Sequence, residues 1–446
     1  MSAMCEILPL GQAVKPSRPR VKPSDYPDLP FIGMEHIEAH TMKQLGSVLA
    51  GTMKSSAVYF KPGDVLYGRL RPYLNKVYRP NFEGLCSAEF IVLPENERVD
   101  GAYLQYFLNS AAFVRYTSHL NAGDRPRVDF DQIAPYQIPI PGKVKQREIV
   151  AEIEKQFSRL DEAVANLQRV KANLKRYKAS VLKDAVEGRL VPTEAELACR
   201  EGRSFETGEQ LLQRILEARR KTWSGRGNYR APISADLANF SDDLPTGWSW
   251  SSLDQLTSKI TSGSRDWSQY YGRGTGTFVL AQNVRPFYPD FSVQQLVDPP
   301  SSDPSCDRSR VQDDDLLATI VGANAGQICL VSKAPREAYV CQSVALIRPV
   351  KRSTSAYLNY WLNSTDNGQR YLDRCMYGQG RPHLSFEQLM AAPIALPPLV
   401  EQERIGAEVD RRLSLIDDVE AEVDANLKRA QALRQSTLSK AFSVDQ

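Results

Sequence analysis

The sequence lacks any apolar run approaching the roughly eighteen residues that a membrane-spanning helix needs. Its seven cysteines, Cys5, Cys86, Cys199, Cys306, Cys329, Cys341 and Cys375, are scattered, odd in number and form no Cys-x-x-Cys pair. That argues against a zinc site or a disulfide framework and fits a reducing cytoplasm. Met1 to Leu10 shows no basic start followed by a long apolar core, so no secretory leader is expected. Histidine is scarce, with four residues, His36, His40, His119 and His383. His36 and His40 stand four apart but lack the His-Glu-x-x-His context of a zinc hydrolase. No Gly-x4-Gly-Lys phosphate loop occurs, since Gly272-Arg273-Gly274-Thr275-Gly276 has no following lysine. Asp298-Pro299-Pro300-Ser301 lacks the aromatic that an aminomethyltransferase motif stacks on a flipped base, and reads as a turn. A net charge of +3 neither favours nor excludes nucleic acid.

What is present is a duplication. Arg125-Pro126-Arg127-Val128-Asp129-Phe130-Asp131-Gln132-Ile133 returns as Arg381-Pro382-His383-Leu384-Ser385-Phe386-Glu387-Gln388-Leu389, displaced by 256 residues (381 − 125). The same displacement carries Ile138 onto Ile394, Gln146 onto Gln402 and Leu182 onto Leu438. Upstream it drifts through small gaps: Ala102-Tyr103-Leu104 matches Ala356-Tyr357-Leu358 (357 − 103 = 254). Pro62-Gly63-Asp64 matches Asp313-Asp314-Asp315, which reads the acidic triplet as a pre-strand turn rather than a metal site.

Each copy has two parts. The first is mixed, with β-rich runs such as Phe90-Ile91-Val92-Leu93 and Val344-Ala345-Leu346-Ile347 bounded by Pro, Gly and Asn. The second is a long helix. Residues 145–186 contain no Pro or Gly, and a helix of that length spans roughly 60 Å. Ile153, Phe157, Leu160, Val164, Leu167 and Leu174 recur at steps of three and four, interrupted at Lys171. Val409, Leu413, Ile416, Val423, Leu427 and Ala430 form the matching stripe.

A lone stripe on so long a helix needs a partner, and the other copy's helix is the simplest one. Antiparallel pairing puts the two mixed domains at opposite ends of a rod, related by a pseudo-two-fold axis. Paired DNA readers use that geometry, with half-sites about 34–36 Å apart or multiples of it. The bland alternative is a core helix of one globular domain. The expected class is therefore α+β: two mixed α/β domains and two long antiparallel coiled-coil helices. The boundaries are 1–142 and 245–398 for the domains, 143–190 and 399–446 for the helices, and 191–244 for a linker with a short helix.

Charge placement points to nucleic acid. Lys54, Arg69, Arg71, Lys76 and Arg79 lie in a stretch whose only acid between Glu38 and Glu83 is Asp64, interleaved with tyrosines. In the second copy Tyr271, Arg273 and Arg285 lie among glycines and asparagine, where backbone could approach a phosphate or simply turn at the surface. Arg125 and Arg127, with Arg381 and His383 in the second copy, suit either a DNA-facing loop or a turn that aims the chain into the long helix.

A domain ending in a Pro-rich strand, then Glu-Gln, then a coiled-coil helix, all given twice, resembles the specificity subunits of type I restriction–modification systems. Residues 394–405 carry this in the second copy (Pro397-Pro398-Leu399-Val400-Glu401-Gln402) and 138–149 in the first, with Lys145 in place of the usual Glu. Leu244-Pro245-Thr246-Gly247-Trp248 looks like the family's entry to a target-recognition domain; Cys5 to Gly11 lacks that opening. The resemblance implies a non-catalytic subunit whose two target-recognition domains each read half of a bipartite, asymmetric sequence in double-stranded DNA. It implies helices that dock two methyltransferase subunits, with restriction/translocase subunits joining them. S-adenosylmethionine, ATP and magnesium would then be bound by the partners and none by this chain. A stand-alone nuclease and a coiled-coil scaffold without a DNA role are the alternatives.

Overall fold

The computed structural model describes residues 6–17, 19–121, 123–223, 228–241, 243–264, 267–299 and 302–443, apart from the Arg273 side chain. Cys5, Pro300 and Ser301 lie outside the described residues. The chain divides into two compact units: Met1–Val170 with Glu422–Gln446, and Lys171–Ala421.

The elements of the first unit that matter here are β1 (Glu6–Pro9), β2 (Val65–Gly68), β3 (Val77–Tyr78), β4 (Phe90–Leu93), α1 (Gly101–Leu108) and β5 (Gln137–Ile140). They lead into the 44-residue helix α2 (Lys143–Val186). Strand β2 pairs antiparallel with both β3 and β4. Alternation along the strands serves two cores. Val65, Tyr67, Ile91 and Leu93 face one that includes Leu104, Phe107 and Phe113, while Leu66, Phe90 and Val92 face Ile32, Phe60 and Cys86. Strand β1 pairs with β5, Glu6 opposite Ile140, and so closes the unit just before α2.

The second unit carries α3 (Glu194–Glu201), α4 (Gly208–Lys221), β6 (Ser249–Ser252), β7 (Asp315–Thr319), β8 (Ile328–Val331), β9 (Val344–Pro349), α5 (Ser355–Asn363) and β10 (Pro393–Leu396), then the 43-residue helix α6 (Leu399–Ala441). Strand β7 lies between β8 and β9. Strand β6 pairs with β10, Ser249 opposite Leu396, as β1 does with β5. The first copy therefore opens on the same strand without the tryptophan.

The duplication holds bond by bond. The Tyr103 hydroxyl donates to the Pro139 carbonyl at 2.8 Å, and the Tyr357 hydroxyl to Ala395 at 2.7 Å. Gln146 Nε2 donates to Pro141 O at 2.7 Å, and Gln402 Nε2 to Pro397 O at 2.9 Å. The turn before β2 and β7 is the same too. Asp64 accepts from the Lys61 amide at 2.9 Å and Asp315 from the Gln312 amide at 2.8 Å, with Gly63 and Asp314 both at positive φ. Asp315 is fully buried and paired with Arg348, a structural use of the acidic triplet.

The long helices run antiparallel within each unit. In the first, Asp161 pairs with Arg434 and Gln156 with Thr437, while Ile153 and Phe157 bury against Leu438. In the second, Lys178 pairs with Asp417, and Leu174 packs on a core that includes Val409, Leu413 and Ile416. Ile153, Phe157, Val409, Leu413, Ile416, Val423 and Ala430 are buried; Leu160, Val164, Leu167, Leu174 and Leu427 are half-buried. Phe157 meets Tyr106 edge-on and lies beneath the Arg434 guanidinium, 4.0 Å from the ring centre.

The stretch 191–244 differs from the linker expected. It holds two helices, and Leu211, Leu212 and Ile215 of α4 are buried in the second unit's core. The irregular chain after α4 is fastened as well. The Ile233 amide donates to Asp254 at 2.8 Å, the Ser252 hydroxyl donates to Ile233 O, and Phe240 packs on Trp250. Such single-residue anchors have no period, so a polar composition hides them.

Candidate nucleic-acid interface

In the first unit β2 runs on into Arg69-Leu70-Arg71 before the hairpin to β3. Gly68 N donates to Lys76 O at 2.8 Å, and Leu74 N donates to Arg71 O at 2.9 Å. Two residues of this hairpin are left-handed, Arg71 (φ 53°, ψ 63°) and Asn75 (φ 46°, ψ 57°). The Arg-Pro-Arg segment lies antiparallel alongside. Arg71 N donates to Pro126 O at 2.7 Å, Val128 N to Arg69 O at 3.0 Å, and Leu70 bridges Arg127. Sequence places Arg69 and Arg71 some fifty residues from Arg125 and Arg127; the fold makes all four one ridge. Arg69 pairs with Asp129, and Arg127 with Glu89. Arg71 and Arg125 are exposed, and among the described residues no acid pairs with either.

The second unit builds the same ridge from other residues. Thr319 N donates to Gln327 O, Ala325 N to Gly322 O, Gly322 N to Pro382 O at 3.0 Å, and Leu384 N to Ile320 O at 2.9 Å. Here the positive-φ positions are Gly322 and Gly326. Ile320 stands where the first ridge has Arg69, Gly322 where it has Arg71, and His383 where it has Arg127. Both acids are replaced by serines, Ser343 for Glu89 and Ser385 for Asp129. Arg381 is retained and exposed, and His383 stacks on Tyr377.

The repeated motif thus has two jobs. Its backbone is structural: Gln132 Oε1 accepts from the Asp129 amide and Gln388 Oε1 from the Ser385 amide, capping a short helix in each unit. Its arginines remain at the surface.

The other basic residues do not join the ridge. Lys76 is spent on the Met34 carbonyl, at 2.6 Å. Arg79 lays its aliphatic stem by Gly101 at the start of α1. Lys54 is exposed just before the strand Ala57–Phe60. In the second unit Tyr271 packs on Phe278 at the start of an irregular strand, and Arg285 is exposed in the turn that Asn283 ties to Asp290 and Val293. The Arg273 side chain lies outside the described residues.

Residues 4–176 match the family model for the type I restriction modification DNA specificity domain. That match spans the mixed domain of the first unit and most of helix α2. It is 30% identical over 173 residues to the type I restriction enzyme EcoDI specificity subunit of Escherichia coli, covering 38% of each chain. It is 25% identical over 312 residues to the EcoBI specificity subunit of the same organism, covering 68% of this chain and 57% of that one. The matches thus span less than two thirds of these relatives. One solved chain, from work on complex assembly and conformational transition of the type I R-M system, shares the fold at a TM-score of 0.68 and 20% identity, with 99% and 98% coverage.

The Glu-Gln pair at the head of the second long helix has a structural task that the sequence did not reveal. Glu401 is fully buried, and its carboxylate accepts from Trp248 Nε1 at 2.9 Å and the Glu194 amide at 2.8 Å. Burial pushes its carboxyl above the usual range, and those donors oppose the shift. Burial works in the same direction on Glu194, but the guanidiniums of Arg203 and Arg404 more than offset it and lower that group. The first copy has neither the tryptophan nor the glutamate. Lys145 there is exposed and pairs with Glu148. The two differences between the copies are thus one: a buried carboxylate is tolerable only where its donors exist. Among the described residues no cluster of three metal-ligating side chains occurs, and no helix is long and apolar enough to cross a membrane.

Proposed function

We propose that this chain is the DNA-reading, non-catalytic subunit of a type I restriction–modification complex. Each unit reads one half of a bipartite, asymmetric sequence in double-stranded DNA through its ridge. The two long helices carry two methyltransferase subunits, to which restriction/translocase subunits add. Those partners bind S-adenosylmethionine, ATP and magnesium, and the complex works in the cytoplasm. The observation that carries this reading is the ridge pair: one backbone built twice, dressed in different side chains. Two identical supports with unlike surfaces are what a reader of two unlike half-sites requires. The exposed arginines suit phosphate and guanine.

The test is to map methylated bases in DNA exposed to the assembled methyltransferase complex. A single two-part motif with unlike halves is expected. Methylation without sequence preference, or cleavage by the isolated chain with magnesium alone, overturns the reading.

A further inference from the structure

We propose that Arg71 is the specificity-determining residue of the first unit, holding its guanidinium against the O6/N7 edge of one guanine in the major groove. This rests on the DNA-reading role proposed above.

The backbone at Arg71 is costly. It lies in the left-handed region, which L-residues with a Cβ avoid by about 1–2 kcal/mol. It also precedes Pro72, whose ring pushes the preceding residue towards extended conformations. The second unit shows how the same hairpin is built without that cost, for its corresponding residue is Gly322. A bulky residue held where glycine fits better points to a use for its side chain.

Elimination among the four ridge arginines leads to the same residue. Arg69 and Arg127 are neutralised by Asp129 and Glu89. Arg125 has Arg381 as its counterpart, so it is common to both ridges and cannot distinguish one half-site from the other. Arg71 is the ridge cation that is exposed, free of an acidic partner among the described residues and absent from the second unit.

Rigidity favours base reading over a phosphate contact. The Arg71 amide is fixed on Pro126 O at 2.7 Å, and its carbonyl accepts from Leu74 N at 2.9 Å. A planar guanidinium launched from so fixed a backbone suits the two-point geometry of guanine, with less freedom lost per hydrogen bond than a lysine would lose.

The experiment uses the full chain assembled with its methyltransferase, a library of two-part targets and three proteins: natural, Arg71→Gly and Arg71→Lys. Arg71→Gly should fold with undiminished thermal stability, because it relieves the backbone. It should lose discrimination at one base pair of the first half-site by roughly 10- to 100-fold and leave the second half-site intact. Arg71→Lys should lose discrimination at that same position while keeping the salt dependence of binding. The proposal is overturned if both variants keep the natural preference. It is equally overturned if Arg71→Gly weakens binding to all sequences alike and lowers the salt slope by about one ion, the mark of a phosphate contact. If the natural complex itself shows no preference, the DNA-reading role fails, and that outcome is distinct from failure at Arg71 alone.

Discussion

The two ridges share the backbone bonds that join each hairpin to its Arg-Pro segment and almost none of their charge. The first carries four arginines and two carboxylates; the second carries Arg381, His383 and two serines in place of the acids. The replacements go in matched pairs. Arg69 with Asp129 becomes Ile320 with Ser385, and Arg127 with Glu89 becomes His383 with Ser343. An arginine left without its acid, or an acid without its arginine, would alter the local field. Changing both at once alters the surface and spares the frame. The comparison teaches that in this molecule surface chemistry is separable from architecture.

The strongest way to break that comparison is an exchange. Replacing residues 208–390 with the corresponding stretch of a relative that has another target should change the whole of one half-site and none of the other, as read by methylation mapping. A change in both halves would mean that the units are not independent readers.

Next come the helices that support each unit. Phe157→Ala should cost about 3–5 kcal/mol and Leu413→Ala about 2–5 kcal/mol, since both side chains are buried. Hydrogen exchange should rise chiefly in the unit that holds the altered residue. Uniform loosening would show that the two units unfold as one.

A smaller effect is expected at the hairpin of the second ridge. Gly322→Ala places a Cβ at φ 111° and should cost about 1–3 kcal/mol in a denaturant melt, although space is open there. An unchanged midpoint would remove the conformational contrast between the ridges.

The pH response should separate the units as well. The buried Glu401 carboxyl titrates above its unfolded value, so its contribution to stability is complete in acid and fades as pH rises through the raised value. Glu401→Gln removes that fading term. The variant should therefore gain melting temperature relative to the natural chain as pH rises through and above the ordinary glutamate range, about pH 4 upward. A constant difference across that range would refute the assignment.

The smallest change is expected for Asp129→Ser. Its pair with Arg69 is largely solvent-facing and worth less than about 1 kcal/mol to folding. DNA affinity at low salt should nevertheless rise modestly, as a carboxylate leaves the ridge. A fall in affinity would mean that Asp129 orients Arg69 for contact.

Much of this was legible beforehand. The duplication, the pre-strand turn at Asp64 and Asp315, and the helical stripes, buried at some positions and half-buried at others, follow from spacing, because helices and repeats leave periodic marks. The ridge was not legible as a unit. Arg71 and Pro126 meet through one backbone bond between distant segments, and no local pattern announces such a bond. Composition instead grouped Lys54, Lys76 and Arg79 with Arg69 and Arg71, although Lys76 serves a carbonyl and Arg79 faces a helix start. The fastening of Ile233 and Phe240 was hidden for a related reason: it depends on isolated side chains in irregular chain.

That fastening bears on how such genes can be reshuffled. A recombination junction at Pro245 looks natural, since it begins a repeat, but it would part Ile233 from Asp254 and Ser252, and Phe240 from Trp250. A chimaera inherits a working reader only when the donor also supplies the preceding strap. Because α4 is also buried in that unit's core and its Arg219 pairs with Asp254, viable crossovers should gather upstream of α4, before residue 208.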